Sequence, residues 1–348
     1  MFQASAIIIS FVATGSLIGN AQQSVAWKDA TKQPHDWYGS AEAVRIAEQL
    51  LLYQHDDGAW EKNIDMAAPL GNQERATLLA RKRENLGRTT IDNDATYTQM
   101  RYLARVYTAT HQERFRTAFL AGLNYLLEAQ YANGGWPQFY PLRDGYWSHI
   151  TYNDDAMIGV METLRSIVRQ EPDFAFVGVA GRIRAREAIE KGIQCILKTQ
   201  VTVAGKLTAW CAQHDEKTLL PAKARAYEHP SLSGSESVGV VQFLMAIEHP
   251  SPEVTRAIEA AIAWFDAVRI TGIRLERKSA PGTPRGYDFV VVPDATAPPL
   301  WARFYEIGTN RPIFSGRDSV VKYQLSEIEY ERRTGYRWYV DRPAQLFK

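Results

Sequence analysis

Residues 43–60 read AVRIAEQLLLYQHDDGAW, an apolar-periodic helix pattern that ends in a Gln-x-x-x-Gly-x-Trp element. The same element closes residues 119–136, FLAGLNYLLEAQYANGGW, and its glutamine lies 76 residues after the first. A degraded third copy follows in CILKTQ, residues 195–200, with Trp210. Each copy is typical of a helix closed by a glycine turn, and its tryptophan is expected to pack the repeat. The recurrence indicates repeated helical hairpins.

Three other helical segments alternate with these copies and are more apolar around their circumference, which predicts an inner layer. They are TTIDNDATYTQMRYLARVY (89–107), TYNDDAMIGVMETLRSIV (151–168) and SGSESVGVVQFLMAIEH (233–249). We therefore predict a mainly α fold, a partial (α/α) toroid of three helical-hairpin repeats over about residues 36–268.

A polar cluster opens each inner helix: Asp92–Asp94, Asn153–Asp155 and Ser235–Ser237. Any one of them is an ordinary helix cap, worth ~1 kcal/mol to the helix. Inner helices of a toroid begin at the same rim, so three equivalent clusters predict one carboxylate-lined mouth.

The sequence changes character after about residue 269. Short β-rich segments rich in proline and glycine follow, such as TGIRLER (271–277) and TGYRWYV (334–340). We predict an irregular, β-containing C-terminal subdomain over about 269–348, which forms one side of a groove within a single domain of residues 22–348.

The N-terminal residues 4–18 are apolar and are followed by Gly19-Asn20-Ala21, a pattern that fits cleavage of a signal peptide after Ala21. Residues 1–21 are therefore predicted to be a signal peptide and the protein to be secreted, extracellular or periplasmic. A short N-terminal core helix is the alternative. No later segment approaches the length of apolar sequence that a membrane span needs.

The charges nearly cancel, with 40 Lys and Arg against 39 Asp and Glu. No global field favours nucleic acid or an anionic membrane, so neither is expected as a partner, and we expect a monomer. An anionic ligand must be held by a local cluster. Cys195 and Cys211 are too few for a disulfide scaffold, and whether they pair stays open.

Five segments together resemble the pectate lyases of polysaccharide lyase family 10, over about residues 36–340. They are 89–107, NGGWPQFYP with SHITYNDDAM (133–141 and 148–157), TAWCAQHDEKTLLPAKARAYEHPSLSGSES (208–237), LWARFYEIGTNRPIFSGRD (300–318) and YERRTGYRWYV (330–340). AKARAYEHPSLSGSES and TNRPIFSGRD are the most specific of these.

The resemblance implies a pectate lyase that cleaves α-1,4-linked polygalacturonate by calcium-assisted β-elimination and releases unsaturated oligogalacturonides. It implies a helical toroid with a substrate groove. Asp92 and Asp154 match the residues that bind calcium, with Asp155 as an adjacent candidate. Arg225 matches the proposed base, and neighbouring cations are expected to lower its pKa. Asp94 is either an added cap charge or an extra ligand.

The resemblance also implies that Arg303, Arg317 and Arg332 bind substrate carboxylates, for which the planar guanidinium is suited. A surface ion pair is the alternative for Arg303 and Arg317. Lys62 lies at the predicted rim and contacts either substrate or solvent. Tyr227, two residues after Arg225, either lines the groove or fills it.

Two other functions compete with this interpretation. An α/α-toroid glycoside hydrolase would use Asp94 and Asp155, or Glu236, as its acid and base. A non-catalytic pectin-binding protein would bind without turnover. The serine-hydrolase elbow and the nucleotide-binding P-loop are absent from the sequence.

Overall fold

The computed structural model describes residues 25–82 and 87–348, so the predicted signal peptide lies outside the described residues. The described part contains ten α-helices: α1 Trp27–Ala30, α2 Ala41–Tyr53, α3 Asn72–Arg81, α4 Tyr97–Thr110, α5 Glu113–Glu128, α6 Ala156–Val168, α7 Val179–Thr199, α8 Glu236–Met245, α9 Pro252–Ala267 and α10 Tyr330–Gly335. None of these helices is long and apolar enough to cross a bilayer.

Short 3-10 helices connect several of these elements. They are His35–Gly39, Tyr146–Ser148, Asn153–Asp155, Pro172–Phe174, Leu325–Glu327 and Arg342–Phe347.

The strands of the described residues form antiparallel pairs and no larger sheet. The pairs are β1 Ile150–Thr151 with β4 Gln213–His214, β2 Thr202–Val203 with β3 Lys206–Leu207, β5 Leu232–Ser233 with β9 Phe304–Tyr305, β6 Ile273–Ser279 with β7 Tyr287–Pro293, β8 Trp301–Ala302 with β12 Tyr339–Val340, and β10 Phe314–Ser315 with β11 Val321–Lys322.

The long helices form three hairpins, α4 with α5, α6 with α7 and α8 with α9. The first helix of each hairpin contacts its counterpart in the next, which makes α4, α6 and α8 an inner layer. The outer helices α2, α5, α7 and α9 contact one another in the same order. The prediction of a partial (α/α) toroid of three hairpin repeats is confirmed.

The repeat glutamines join successive outer helices. Each donates its side-chain amide to one carbonyl beyond its own helix end and to a second carbonyl in the following outer helix. The bonds are Gln54 to Gly58 and Ala118 (2.8 and 2.8 Å), Gln130 to Gly134 and Ala188 (3.0 and 2.9 Å), and Gln200 to Thr208 and Ala257 (2.8 and 2.9 Å). The motif is therefore a connector between repeats, because one amide satisfies two buried backbone acceptors.

The repeat tryptophans are fully buried and close the outer helices. Each indole N–H donates to a carbonyl in the last turns of the preceding helix: Trp60 to Leu50, Trp136 to Leu126 and Trp210 to Ile196 (2.9, 2.7 and 2.8 Å). Trp301 makes the same bond to Phe265 at the end of α9, at 2.8 Å. This fourth member was not predicted, since no Gln-x-x-x-Gly element precedes it.

Two glycines of the repeat motif allow close contact between outer helices. Gly58 and Gly134 have φ of +93° and +95°, in the region that side chains avoid. A Cβ on Gly134 would lie 2.0 Å from the carbonyl oxygen of Lys191, and one on Gly58 would lie 2.4 Å from that of Ala121. Glycine is required at both turns on conformational and steric grounds.

The residues after α9, together with Ala212 and Tyr227 from the segment before α8, build a second, smaller core beside the helical one. Its members are mostly aromatic or aliphatic: Ala212, Tyr227, Phe304, Ile313, Phe314, Leu325, Ile328 and Trp338. The pair β5–β9 connects this part to the residues that lead into α8, and the pair β8–β12 lies within it. Elsewhere, Cys195 and Cys211 are buried free thiols, so they do not pair.

Candidate active site

The turn that carries Asp92 is fastened to the first repeat. The Thr96 hydroxyl donates to the carbonyl of Thr90 at 2.8 Å and accepts the backbone N–H of Trp60 at 3.2 Å. The backbone N–H of Asp92 donates to the Thr90 hydroxyl at 3.0 Å. The buried tryptophan of the repeat therefore fixes the position of the Asp92 turn.

Asp92 and Asp154 lie on either side of one amide. Asn153 donates its Nδ2 to Asp154 Oδ2 at 2.8 Å and reaches Asp92 Oδ1 at 3.5 Å. Asp92 is 2% exposed and pairs with Lys62, while the Asp154 side chain is 40% exposed. Lys62 therefore lies in the site, where its described partner is a carboxylate rather than solvent.

Arg303 joins the second and third polar clusters. Its Nη2 lies 3.3 Å from Asp154 Oδ1 and also donates to Glu236, which is 2% exposed. Arg303 itself is only 9% exposed, and its Nε has no hydrogen-bond partner among the described residues. The three clusters therefore meet, as their equivalent positions predicted, and a buried arginine lies between them. This ion pair is internal, unlike the surface pair considered from sequence.

Asp155 takes a different direction from Asp154. Its Oδ2 accepts a 2.6 Å bond from Arg342 in the C-terminal 3-10 helix, and its Oδ1 lies against Gly239 in α8. Among the described residues it makes no hydrogen bond with Asp92, Asn153 or Arg303. The inclusion of Asp155 among the calcium ligands is therefore corrected, because its carboxylate is engaged at the toroid interior by another arginine.

Arg225 is held by an acid three residues further along the chain. Glu228 accepts the backbone N–H of Arg225 at 3.1 Å and its side-chain Nε at 2.9 Å. The Arg225 side chain is 40% exposed, and its two terminal nitrogens donate no hydrogen bond within the described part of the chain. The guanidinium thus presents its outer edge to the groove.

The pKa of Arg225 differs from the expected direction. Burial lowers the pKa of this guanidinium, but the charge of Glu228, its hydrogen bond to Arg225 and the nearby phenols of Tyr336 and Tyr227 together outweigh burial, so the pKa lies above the usual arginine value. The pKa is therefore shifted opposite to the expected direction, because the nearest charged side chain is the anion of Glu228 rather than another arginine.

Tyr336 connects the Arg225 pair to Arg303. Its hydroxyl donates to Glu228 at 2.8 Å, and the Arg303 guanidinium lies 4.7 Å from the centre of its ring. Neither Tyr336 nor Glu228 was assigned a role from sequence. Glu228 lies inside the AKARAYEH segment, so its presence was visible, whereas its contact with Tyr336 spans 108 residues and was not.

Tyr227 lies between two of the arginines. The guanidinium carbons of Arg225 and Arg332 lie 5.6 and 4.6 Å from the centre of its ring. The ring also packs edge-on against Tyr336, with centroids 5.2 Å apart. Tyr227 is 5% exposed and therefore fills the wall behind the arginines, the second of the two roles considered for it.

Arg317 and Arg332 share one carboxylate. Glu331 accepts two bonds of 3.1 Å from Arg317 and pairs with Arg332, whose Nε lies 2.6 Å from it. Hydrogen bonds from Arg332 and Arg317 lower the pKa of Glu331 to about 2. Arg317 makes the surface ion pair that was the alternative to substrate binding.

Several oxygen donors at this rim suit a hard cation. The carboxylates of Asp92 and Asp154 and the amide oxygen of Asn153 are the ligand types that calcium prefers, and Asp154 is open to solvent. Asp94 is exposed, and its Oδ1 accepts the hydroxyl of Tyr97 at 2.7 Å.

A second cluster of possible metal ligands lies elsewhere among the described residues. Single ligand atoms of His149, Asp215 and Glu216 lie within 4.8 Å of one another. Asp215 Oδ1 already accepts the backbone N–H groups of Lys217 and Thr218, at 3.0 and 2.7 Å, and so caps a turn. This group therefore has a structural explanation without a cation.

Comparison with known proteins agrees with this site. The family model of pectic acid lyases matches residues 54–347. A solved family 10 polysaccharide lyase from Cellvibrio cellulosa is 34% identical, with a TM-score of 0.75, and the match covers 90% of this chain and 92% of that chain. No curated protein sequence matches the chain.

A second solved structure is a mutant family 10 polysaccharide lyase from the same organism in complex with trigalacturonic acid. It is 33% identical, with a TM-score of 0.75, and the match covers 91% of this chain and 96% of that chain. The family match and these structures both span the helical repeats and the C-terminal part. The chain therefore belongs to polysaccharide lyase family 10, the pectic acid lyases.

Proposed function

We propose that this lyase cleaves polygalacturonate by calcium-assisted β-elimination, with Arg225 as the base, and releases unsaturated oligogalacturonides. One observation carries the proposal: a continuous set of contacts links Asp92 and Asp154 through Arg303, Tyr336 and Glu228 to Arg225. The trigalacturonic acid bound by the Cellvibrio cellulosa relative supports the substrate class.

The reaction requires removal of the proton on the carbon that bears the sugar carboxylate. The developing negative charge then spreads onto that carboxylate, so nearby cations lower the barrier most. Arg225 can present its terminal nitrogens to this proton, since Glu228 occupies only the Nε edge. Because Glu228 also raises the pKa of Arg225, we expect turnover to increase toward alkaline pH.

The remaining arginines position the sugar acids. Arg317 is exposed, and its planar fork can bind a sugar carboxylate in place of Glu331. Arg332 shares Glu331 and would become available at the same time. Arg303 is buried and keeps Asp154 and Glu236 in place from behind. Substrate binding is therefore an exchange of the protein's own carboxylate for that of the substrate.

The oxygens of Asp92, Asn153 and Asp154 would hold calcium, as their chemistry at the rim allows. The chemistry supplied by a calcium ion bound there is neutralisation of the sugar carboxylate, which makes the adjacent proton more acidic. Lys62 and Arg303 already neutralise Asp92 and Asp154 in part. We therefore expect weak calcium binding in the absence of substrate.

The two competing functions are less well supported. Membership in a lyase family stands against the glycoside hydrolase, and Glu236, one of its proposed acids, is buried and paired with Arg303. Membership in a lyase family also stands against a protein that only binds pectin. We also propose, from the N-terminal sequence pattern, that the enzyme is secreted.

Incubation with polygalacturonate at alkaline pH tests the proposal. We expect ultraviolet absorbance from the unsaturated product to increase with calcium and to stop increasing when a chelator is added. A saturated reducing end without absorbance would indicate hydrolysis, and tight binding without any product would indicate a binding protein. Either result would overturn the proposed reaction.

A further inference from the structure

The loop after the second repeat places an arginine between two aromatic rings. The guanidinium carbon of Arg143 lies 4.6 Å from the ring centre of Phe139 and 4.6 Å from that of Trp147. Its side chain is partly exposed, and it makes no hydrogen bond or ion pair with any described residue. Two ring faces therefore hold a cation that lacks a described carboxylate partner.

Phe139 connects this arginine to the rim. Lys62, which pairs with Asp92, lies 5.3 Å from the centre of the same Phe139 ring. The backbone also fixes the loop, because the N–H of Gln138 donates to the carbonyl of Trp147 at 3.0 Å. Arg143 and the rim carboxylates thus belong to one wall of the groove.

Tyr146 extends the same wall toward the base. Its ring lies 4.7 Å from that of Trp147 at an angle of 36°, and both rings are partly exposed. Burial raises the pKa of Tyr146, while the positive charge of Arg225 opposes this rise and Asp92 adds to it. Both ends of the proposed reaction centre are therefore within electrostatic range of this phenol.

We propose that Arg143, Tyr146 and Trp147 form a sugar-binding subsite next to the reaction centre, which takes one acidic sugar of the polygalacturonate chain. This inference rests on the proposed function. Arg143 pairs with the sugar carboxylate through its planar fork, which has no competing acid among the described residues. Tyr146 and Trp147 cover the apolar face of the sugar ring, a surface that flat aromatic side chains fit.

The subsite has a role distinct from that of Arg317 and Arg332. Arg317 and Arg332 already pair with Glu331, so each would exchange that carboxylate for one of the substrate. Arg143 can bind a sugar carboxylate without first breaking an ion pair to a described residue. We therefore expect it to contribute to substrate affinity. Its removal should therefore raise KM more than it lowers kcat, as expected for an interaction equally strong in the ground and transition states.

Binding measurements with catalysis switched off test the subsite. The Arg225→Ala protein, which should not turn over, serves as background for Arg143→Gln, Arg143→Lys and Trp147→Ala. Titration with a hexamer of galacturonic acid is followed by calorimetry. We expect Arg143→Gln and Trp147→Ala each to weaken binding about tenfold, a loss of ~1.4 kcal/mol, and Arg143→Lys to weaken it less.

Arg186→Gln is the matched control, since Arg186 is an exposed arginine on the outer helix α7 that makes no ion pair among the described residues. Equal affinities of the Arg143→Gln and Arg186→Gln proteins would overturn the subsite, provided that both show the thermal stability of the background. If the wild-type protein neither binds nor cleaves polygalacturonate, the proposed function itself fails, and this result is distinguishable from failure of the subsite alone.

Discussion

Glu228 accepts hydrogen bonds from both the backbone N–H and the side-chain Nε of Arg225, at 3.1 and 2.9 Å. One acid therefore sets the orientation of the proposed base and also stabilises its charged form. Orientation favours catalysis and charge stabilisation opposes it, so the two effects of Glu228 can be separated by varying pH.

Replacing Glu228 with glutamine should keep the side chain's size and remove its charge. Since that charge raises the pKa of Arg225, the variant should have a lower Arg225 pKa, and the alkaline rise in kcat should move to lower pH. The pH–rate profile on polygalacturonate measures this shift. Glu248→Gln, an exposed acid paired with Arg169, should leave the profile in place. An unshifted profile for Glu228→Gln would contradict the role of Arg225 as base.

Replacing Arg225 with alanine or lysine should nearly abolish turnover. The side chain is 40% exposed and supports little of the core, so the fold should persist. We expect a loss of at least tenfold in kcat, equivalent to ~1.4 kcal/mol of barrier, in the absorbance assay. Arg256→Ala, an exposed arginine on α9, should retain activity. An alanine variant of Arg225 with more than a tenth of wild-type turnover would falsify the assignment.

Arg303 and Arg317 should differ in their effect on stability. Arg303→Gln leaves the buried Glu236 without its cation, and such a change costs about 3–5 kcal/mol. Arg317→Gln removes an exposed pair and should change the free energy of unfolding little, while it weakens substrate binding. Chemical denaturation of both variants, with KM measured alongside, makes the comparison. Equal stability of the two proteins would show that the Arg303 pair is not structural.

Gly134→Ala should be far more destabilising than Gly205→Ala. Both glycines have positive φ, at +95° and +76°, so both substitutions carry backbone strain of ~1 kcal/mol. Only at Gly134 would the new Cβ meet backbone, the Lys191 carbonyl oxygen at 2.0 Å, whereas nothing lies within 4 Å at Gly205. The difference between the denaturation midpoints of the two variants measures the cost of the clash between the Gly134 turn and α7. Similar midpoints would mean that the outer helices can move apart with little loss in the free energy of unfolding.

His214 should make the fold sensitive to mild acid. Its Nε2 accepts the N–H of Cys211 at 3.1 Å and its Nδ1 donates to the carbonyl of Leu219 at 2.9 Å, which fixes the neutral ring. Burial lowers the pKa of His214 to about 4. Because the unfolded chain binds the proton more tightly, this stabilisation is complete above about pH 6.5 and is lost as the pH falls toward 4.

The measurement for His214 is the melting temperature between pH 7 and 5. At pH 5 the wild-type protein should have lost on the order of 2 kcal/mol through this residue. His214→Gln should show a weaker dependence on pH, and His249→Gln, an exposed control, should follow the wild type. A His214→Gln protein with the full wild-type pH dependence would show that other groups cause the acid sensitivity.

The helical framework was predictable because its signals are local. Gln54, Gln130 and Gln200 each sit at a helix end, and the spacing of their motifs alone indicates hairpins. The convergence of the Asp92, Asn153 and Glu236 clusters also followed from topology, since inner helices begin at one rim.

Directions of side chains were not predictable. Asp154 and Asp155 are adjacent and of one type, yet both have positive φ, 51° and 57°, and their carboxylates reach different arginines. Glu228 lies three residues after Arg225, but the sequence analysis predicted neither their pairing nor its effect on the pKa, which depends on which charge is nearest. Sequence specifies which groups meet at the rim more readily than how each is oriented.

Trp301 has a consequence for the groove that reaches beyond packing. Its indole bond to Phe265 anchors the start of the segment that, two residues later, supplies Arg303. The wall that faces the helices is thus positioned directly by α9, the last helix of the toroid. Substitutions at exposed positions of the β6–β7 hairpin should therefore leave Arg303 in place relative to Asp154, whereas Leu275 and Phe289 of that hairpin pack against the second core.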